Sequence, residues 1–188
     1  MVGAATWARP DWLSAIRRYV LAAAVGNAAW EMAQMPLYTL WQRGTPRQIA
    51  LGVLHCTGGD VLIAAGALIM ALLLVGSSEW PRTGLARTAA IALLAGLAYT
   101  IYSEYLNTAI RGTWAYSDLM PTLPWLGTGL APLAQWLIVP PLALTWATSS
   151  HGAARVATAN GAFSTERYPL SSARCQHRPD ERRMSERP

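Results

Sequence analysis

Apolar and polar positions fall along this chain in long blocks. Four apolar runs, at about residues 19–40, 49–75, 88–109 and 129–148, are separated by three polar connections. Each run is near the ~20 residues a helix needs to cross the hydrocarbon core of a bilayer. The connections WQRGTPRQ and SSEWPRTGLAR are short, and the third is an aromatic, proline-rich loop. Short connections make consecutive helices antiparallel. The pattern predicts an all-α, polytopic membrane protein. Its domain is an antiparallel four-transmembrane-helix bundle over residues 1–148, followed by a basic cytoplasmic tail over 149–188. Trp7, Arg9, Asp11 and Trp12 read as an interfacial lead-in with aromatic anchors. Arg17 and Arg18 before small apolar residues also fit a cleaved signal peptide. The apolar pattern runs well past Ala29, which favours a span.

Composition sharpens this picture. Hydrophobic residues make up 53% and charged residues 13%, against about 25% charged in soluble domains. The net charge is +5, and all fifteen basic residues are Arg. The basic tail adjoins apolar spans and has few aromatics to stack bases, so no nucleic-acid partner is expected. Cys56 falls in an apolar run and Cys175 in the tail, which speaks against a disulfide framework. The tail is rich in Arg, Ser, Ala and Pro, and is expected to be disordered and drawn to anionic lipid. His151 and His177 lie there without other ligand types at metal spacing.

Arginine placement predicts orientation. Arg9, Arg17 and Arg18, then Arg82 and Arg87, and seven tail arginines fall on one side; Arg43, Arg47 and Arg111 fall on the other. That bias puts both termini in the cytoplasm.

Three spans each carry a carboxylate, Glu31, Asp60 and Glu104. Such a group facing lipid costs roughly 2.5–3.5 kcal/mol on insertion scales, so it is expected to face the bundle interior. Asn27, Glu31 and Gln34 are spaced i, i+4, i+7 and share a helix face; so do Glu104, Asn107, Thr108 and Arg111. Arg111 is placed to pair with Glu104 or Asp118. Gly52, Gly59 and Gly66 recur every seven residues, which predicts a smooth stripe for close helix packing. His55 edges that stripe. Asp60 follows it by five residues, about 140° round a helix; this spacing argues against a metal centre. Gln135 lies about two turns into the fourth run, and Pro140–Pro141 are expected to kink it.

With this orientation, all these polar groups fall in the outer half of the bundle, and the loop with Trp114, Tyr116 and Trp125 caps them. Tyr99, Tyr102 and Tyr105 read as core or interface aromatics. The arrangement predicts a pocket that binds or moves a proton, a cation or a small polar head group. One alternative is an intramembrane enzyme acting on a lipid or isoprenoid, with Glu104, Asp60 and His55 handling protons. Another is a structural subunit whose polar groups only join helices. No nucleophile motif, phosphate loop or HExxH pair is present, which disfavours hydrolysis. The pattern assigns no cofactor; the expected partners are the bilayer and a small-molecule or lipid ligand.

Residues 103–141, SEYLNTAIRGTWAYSDLMPTLPWLGTGLAPLAQWLIVPP, preceded by HCTGGDVLIAA, resemble a family of small bacterial four-helix integral membrane proteins. The likeness covers about residues 27–148. It implies a bacterial inner-membrane location and no particular activity. A second similarity, to the EXPERA-type four-helix bundles, rests on Trp136 followed by Pro140 and on His and acid groups inside the membrane. That family includes sterol isomerases and ligand-binding receptors; the likeness is one of architecture.

Overall fold

The computed structural model describes residues 11–165, which are mostly helical. Two units separate, Met1–Ala153 and Ala154–Pro188; everything below concerns the first, apart from the last turns of its final helix.

Helix α1 spans Asp11–Gln34. It starts within the expected lead-in and stops short of the expected end at residue 40. Pro36 cannot continue the hydrogen-bond ladder, so the chain tightens into a 3-10 turn, Met35–Leu37, before the short helix α2, Thr39–Arg43. Thr45 then opens helix α3, Pro46–Val75, with a capping box. Its side chain accepts from the Gln48 N–H, and the Gln48 side chain accepts from the Thr45 N–H at 2.8 Å. Pro46 at the first position gives up only an N–H that a helix start leaves free.

Helix α4 spans Leu85–Tyr105. It runs into a π turn, Leu106–Ile110, closed by the Arg111 N–H donating to the Leu106 carbonyl at 2.8 Å. Helix α5 spans Leu130–Thr165 and holds Pro140 and Pro141 inside it. Helix α5 thus runs past residue 149, where the expected tail begins, as far as Thr165. The segment is alanine-rich, and alanine is the strongest helix former. Residues 166–188, with Cys175 and His177, lie outside the described residues, as do Trp7 and Arg9 at the start.

Among the described residues, three helices are long and apolar enough to cross a membrane: Pro46–Val75, Leu85–Ile110 and Leu130–Ser149. Helix α1, expected as a fourth, is not among them. Arg17, Arg18 and Glu31 interrupt it, and its apolar stretch is shortened by the break at Pro36.

Contacts give the directions. Ala15, Tyr19 and Ala23 of α1 share a core with Ala64 and Leu68 of α3 and with Trp136, Ala143, Leu144 and Ala147 of α5. Asn27, late in α1, bonds Gln135, early in α5, whereas the first turns of α1 cluster with Ala143 and Ala147 further along α5 and with Leu68 in the later half of α3, so α1 runs antiparallel to both. Ala67 and Ala71 of α3 pack on Ala92 of α4, flanked by Ile91 and Ala95. The closest approaches lie at Gly26, where an added Cβ would sit 2.7 Å from Val139 Cγ1, and at Gly96, where it would run into the Trp136 ring. The expected glycine stripe on α3 does not pack this way. A Cβ at Gly59 or Gly66 meets nothing within 4 Å, and one at Gly52 meets only the Leu40 side chain. Those glycines face open space because α3 and α4 touch through the alanines instead.

Candidate functional site

On α1, residues 15, 19, 23, 27 and 31 form one inward stripe that turns from apolar to polar along its length. Asn27, Glu31 and Gln34 are all buried. Gln135, from the start of α5, is the hub that meets them. Its Nε2 donates to Asn27 Oδ1 at 2.9 Å and to Asp60 Oδ2 at 2.8 Å, and its Oε1 accepts from Gln34 Nε2 at 3.4 Å. Gln34 Nε2 also donates to Glu31 Oε1 at 2.8 Å, and Trp30 Nε1 donates to Gln34 Oε1 at 3.2 Å. Gln34 and Gln135 thereby link the Glu31 and Asp60 carboxyls, one bonded to each. Three helices thus lock six side chains into one network.

A second group stands beside it. Glu104 is buried near the end of α4. It accepts from the Tyr116 hydroxyl and from Trp114 Nε1 at 3.5 Å. Both donors come from the loop after α4, which is held down by a strand-like pairing. The Thr39 N–H donates to the Ala115 carbonyl at 3.0 Å, and the Ser117 N–H donates to the Leu37 carbonyl at 2.9 Å. Tyr38 and Tyr116 pack ring to ring, 5.5 Å between centroids. The Tyr116 oxygen accepts from the Gly129 N–H at 3.0 Å, which fixes the start of α5. Burial, followed by the bond to Glu104, pushes the Tyr116 phenol above its ordinary range; it remains a hydroxyl donor at neutral pH.

Glu31, Gln34, Asp60, Glu104, Trp114 and Gln135 wall a cavity of about 720 Å³ lined by all four long helices, whereas Asn27 and Tyr116 lie off it. His55, Asn107 and Arg111 line it as well. His55 and Arg111 are exposed, at its rim, whereas Asn107 donates back to the Ser103 carbonyl at 2.8 Å. Arg111 forms an ion pair with neither Glu104 nor Asp118, which is itself exposed. The cause is the π turn. A wider turn between Glu104 and Arg111 rotates the arginine off the face it would share in a regular α-helix. Among the described residues no three His, Cys, Asp or Glu side chains are grouped to hold a metal ion.

Two participants were not anticipated. Thr100 lines the cavity, is 6% exposed, and its Oγ1 has no hydrogen-bond partner. It sits four residues before Glu104, so the face reading that found Asn107 and Thr108 would also have found it. Trp136, beside Gln135, closes the cavity floor against Gly96.

Compared with known proteins, the chain matches no family model, no curated protein and no solved structure.

Proposed function

We propose that this chain is a multi-pass membrane protein of four antiparallel spans, α1 being the fourth, that binds a proton, a cation or a small cationic head group in a carboxyl-lined pocket. The observation that carries the binding reading is a single cavity lined by Gln135, bonded to Gln34 and Asp60, and by Glu31, Glu104 and an unpaired Thr100 hydroxyl, with Asn27 also bonded to Gln135. Among the described residues no arginine is buried with these carboxyls. A guest that brings positive charge or donors satisfies what the protein leaves open.

The reading of α1 as a span rests on its two faces. Its inward face holds Asn27 and Glu31, whereas Leu21 and Val25 are 60% and 65% exposed on the other side. Leu73 of α3 is 83% exposed. Apolar outside with polar inside suits lipid surroundings and not water. Arginine bias puts both termini in the cytoplasm of a bacterial cell and the pocket in the outer half of the bundle. Topology reporters fused after Ala153 and within the loop at Gly112 test this. The first is expected to report cytoplasm and the second the far side; the reverse result overturns the orientation.

A second reading, a proton-handling enzyme on a lipid or isoprenoid, is favoured by the apolar residues that line much of the cavity, such as Leu51, Leu62 and Ile63. The binding reading is tested by titrating the purified full chain with methylammonium while following tryptophan fluorescence, since Trp114 touches Glu104. A saturable change is expected, lost in Glu104→Gln and weakened in Glu31→Gln while helical circular dichroism is retained. If wild type shows no saturable change, or if both variants lose only thermal stability, the polar groups serve as helix joints and nothing more.

A further inference from the structure

Resting on the binding reading above, we infer that the ligand is a long-chain amphiphile with an ammonium head, and that its hydrocarbon chain enters sideways between α3 and α4. The first observation is the shape of the gap. Helices α3 and α4 touch through Ala67, Ala71 and Ala92 near the connection that joins them. Further from it, on the cavity wall, Gly59 of α3 has no neighbour within 4 Å of an added Cβ. The cavity follows one face of α3 from Leu51 to Ile63. That is about 18 Å at 1.5 Å per residue, far longer than a small ion needs.

The second observation is where the rim points. Leu62 of α3 is 75% exposed and Tyr99 of α4 is 51% exposed, yet both line the cavity. The opening therefore lies on the apolar outer surface of the helices. A water-borne guest gains nothing from such a door; an amphiphile dissolved in the bilayer arrives through it with its chain already in hydrocarbon.

The third observation is chemical. The polar end of the groove presents the Glu31, Asp60 and Glu104 carboxyls and the partnerless Thr100 Oγ1, with Trp114 and Trp136 at its wall. Carboxylates accept three donors from an ammonium, and aromatic faces add attraction for a cation. The only basic groups on the cavity among the described residues, His55 and Arg111, are exposed at the rim. An anionic head would be repelled by the carboxyls, and a neutral alcohol would bring no charge to balance theirs.

The test uses the full chain in one detergent, with four probes read by tryptophan fluorescence: dodecylammonium, dodecanol, dodecyl phosphate and methylammonium. Dodecylammonium is expected to bind at least about 30-fold more tightly than methylammonium because of the buried chain. Dodecanol and dodecyl phosphate are expected to compete at least about tenfold less well. Gly59→Leu has room to fold, since an added Cβ meets nothing beyond its own helix backbone within 4 Å. It fills the groove, so it is expected to weaken dodecylammonium about tenfold and leave methylammonium within about twofold. Equal competition by all three dodecyl compounds would overturn the inference, as would indifference of dodecylammonium to Gly59→Leu. Methylammonium binding as tightly as dodecylammonium sinks the chain entry alone. Failure of both amines to bind sinks the pocket itself.

Discussion

Gly96→Leu is expected to lower the stability of the folded protein by about 3 kcal/mol, at the upper end of the usual overpacking range. A side chain at residue 96 has nowhere to go, because even a Cβ there runs into the Trp136 ring. Trp136 is itself 2% exposed. Gly58→Ala is the control. Its Cβ meets nothing within 4 Å, and it is expected to gain up to about 1 kcal/mol from helix propensity alone. Unfolding followed by circular dichroism in mixed micelles measures both. Rescue of Gly96→Leu by Trp136→Leu would tie the loss to this contact; an unchanged midpoint in Gly96→Leu would refute the packing described.

Gln135→Leu is expected to cost about 2–4 kcal/mol. Hydrogen bonds between membrane helices average only ~0.6 kcal/mol each, and Gln135 makes three, to Asn27, Asp60 and Gln34. That alone gives about 2 kcal/mol. The rest comes from leaving buried partners unsatisfied, at about 1–3 kcal/mol per group when nothing replaces the bond. The double variant Asn27→Leu with Gln135→Leu removes donor and acceptor together, so it is expected to cost clearly less than the sum of the two single losses. Strict additivity in the same unfolding assay would show that the two amides do not act on each other.

Much of the site was legible because helical spacing is arithmetic. Asn27, Glu31 and Gln34 share a face by their intervals, and the fold puts that face against Gln135. The loop bearing Trp114 and Tyr116 was likewise placed over Glu104 by its position in the chain, although nothing in the sequence says that the Tyr116 hydroxyl is the atom that arrives. What escaped was whatever depends on departures from regular helix. The π turn carried Arg111 away from Glu104, a change that a constant interval cannot foresee. The seven-residue glycine repeat looked like a packing seam, but whether a smooth stripe meets a neighbour depends on the tilt between α3 and α4. Gly96, which does meet one, belongs to no repeat. The end of α1 was misjudged because Met35–Tyr38 is as apolar as the helix before it; only Pro36 marked the break.

The Tyr116 hydroxyl holds two bonds at once, giving its proton to Glu104 and taking the Gly129 N–H. It is the rivet between the last turn of α4 and the first of α5. Any guest that claims Glu104 as its own acceptor competes for that rivet. The same hydroxyl thereby ties the buried Glu104 carboxyl to the surface loop that carries the fully exposed Trp125.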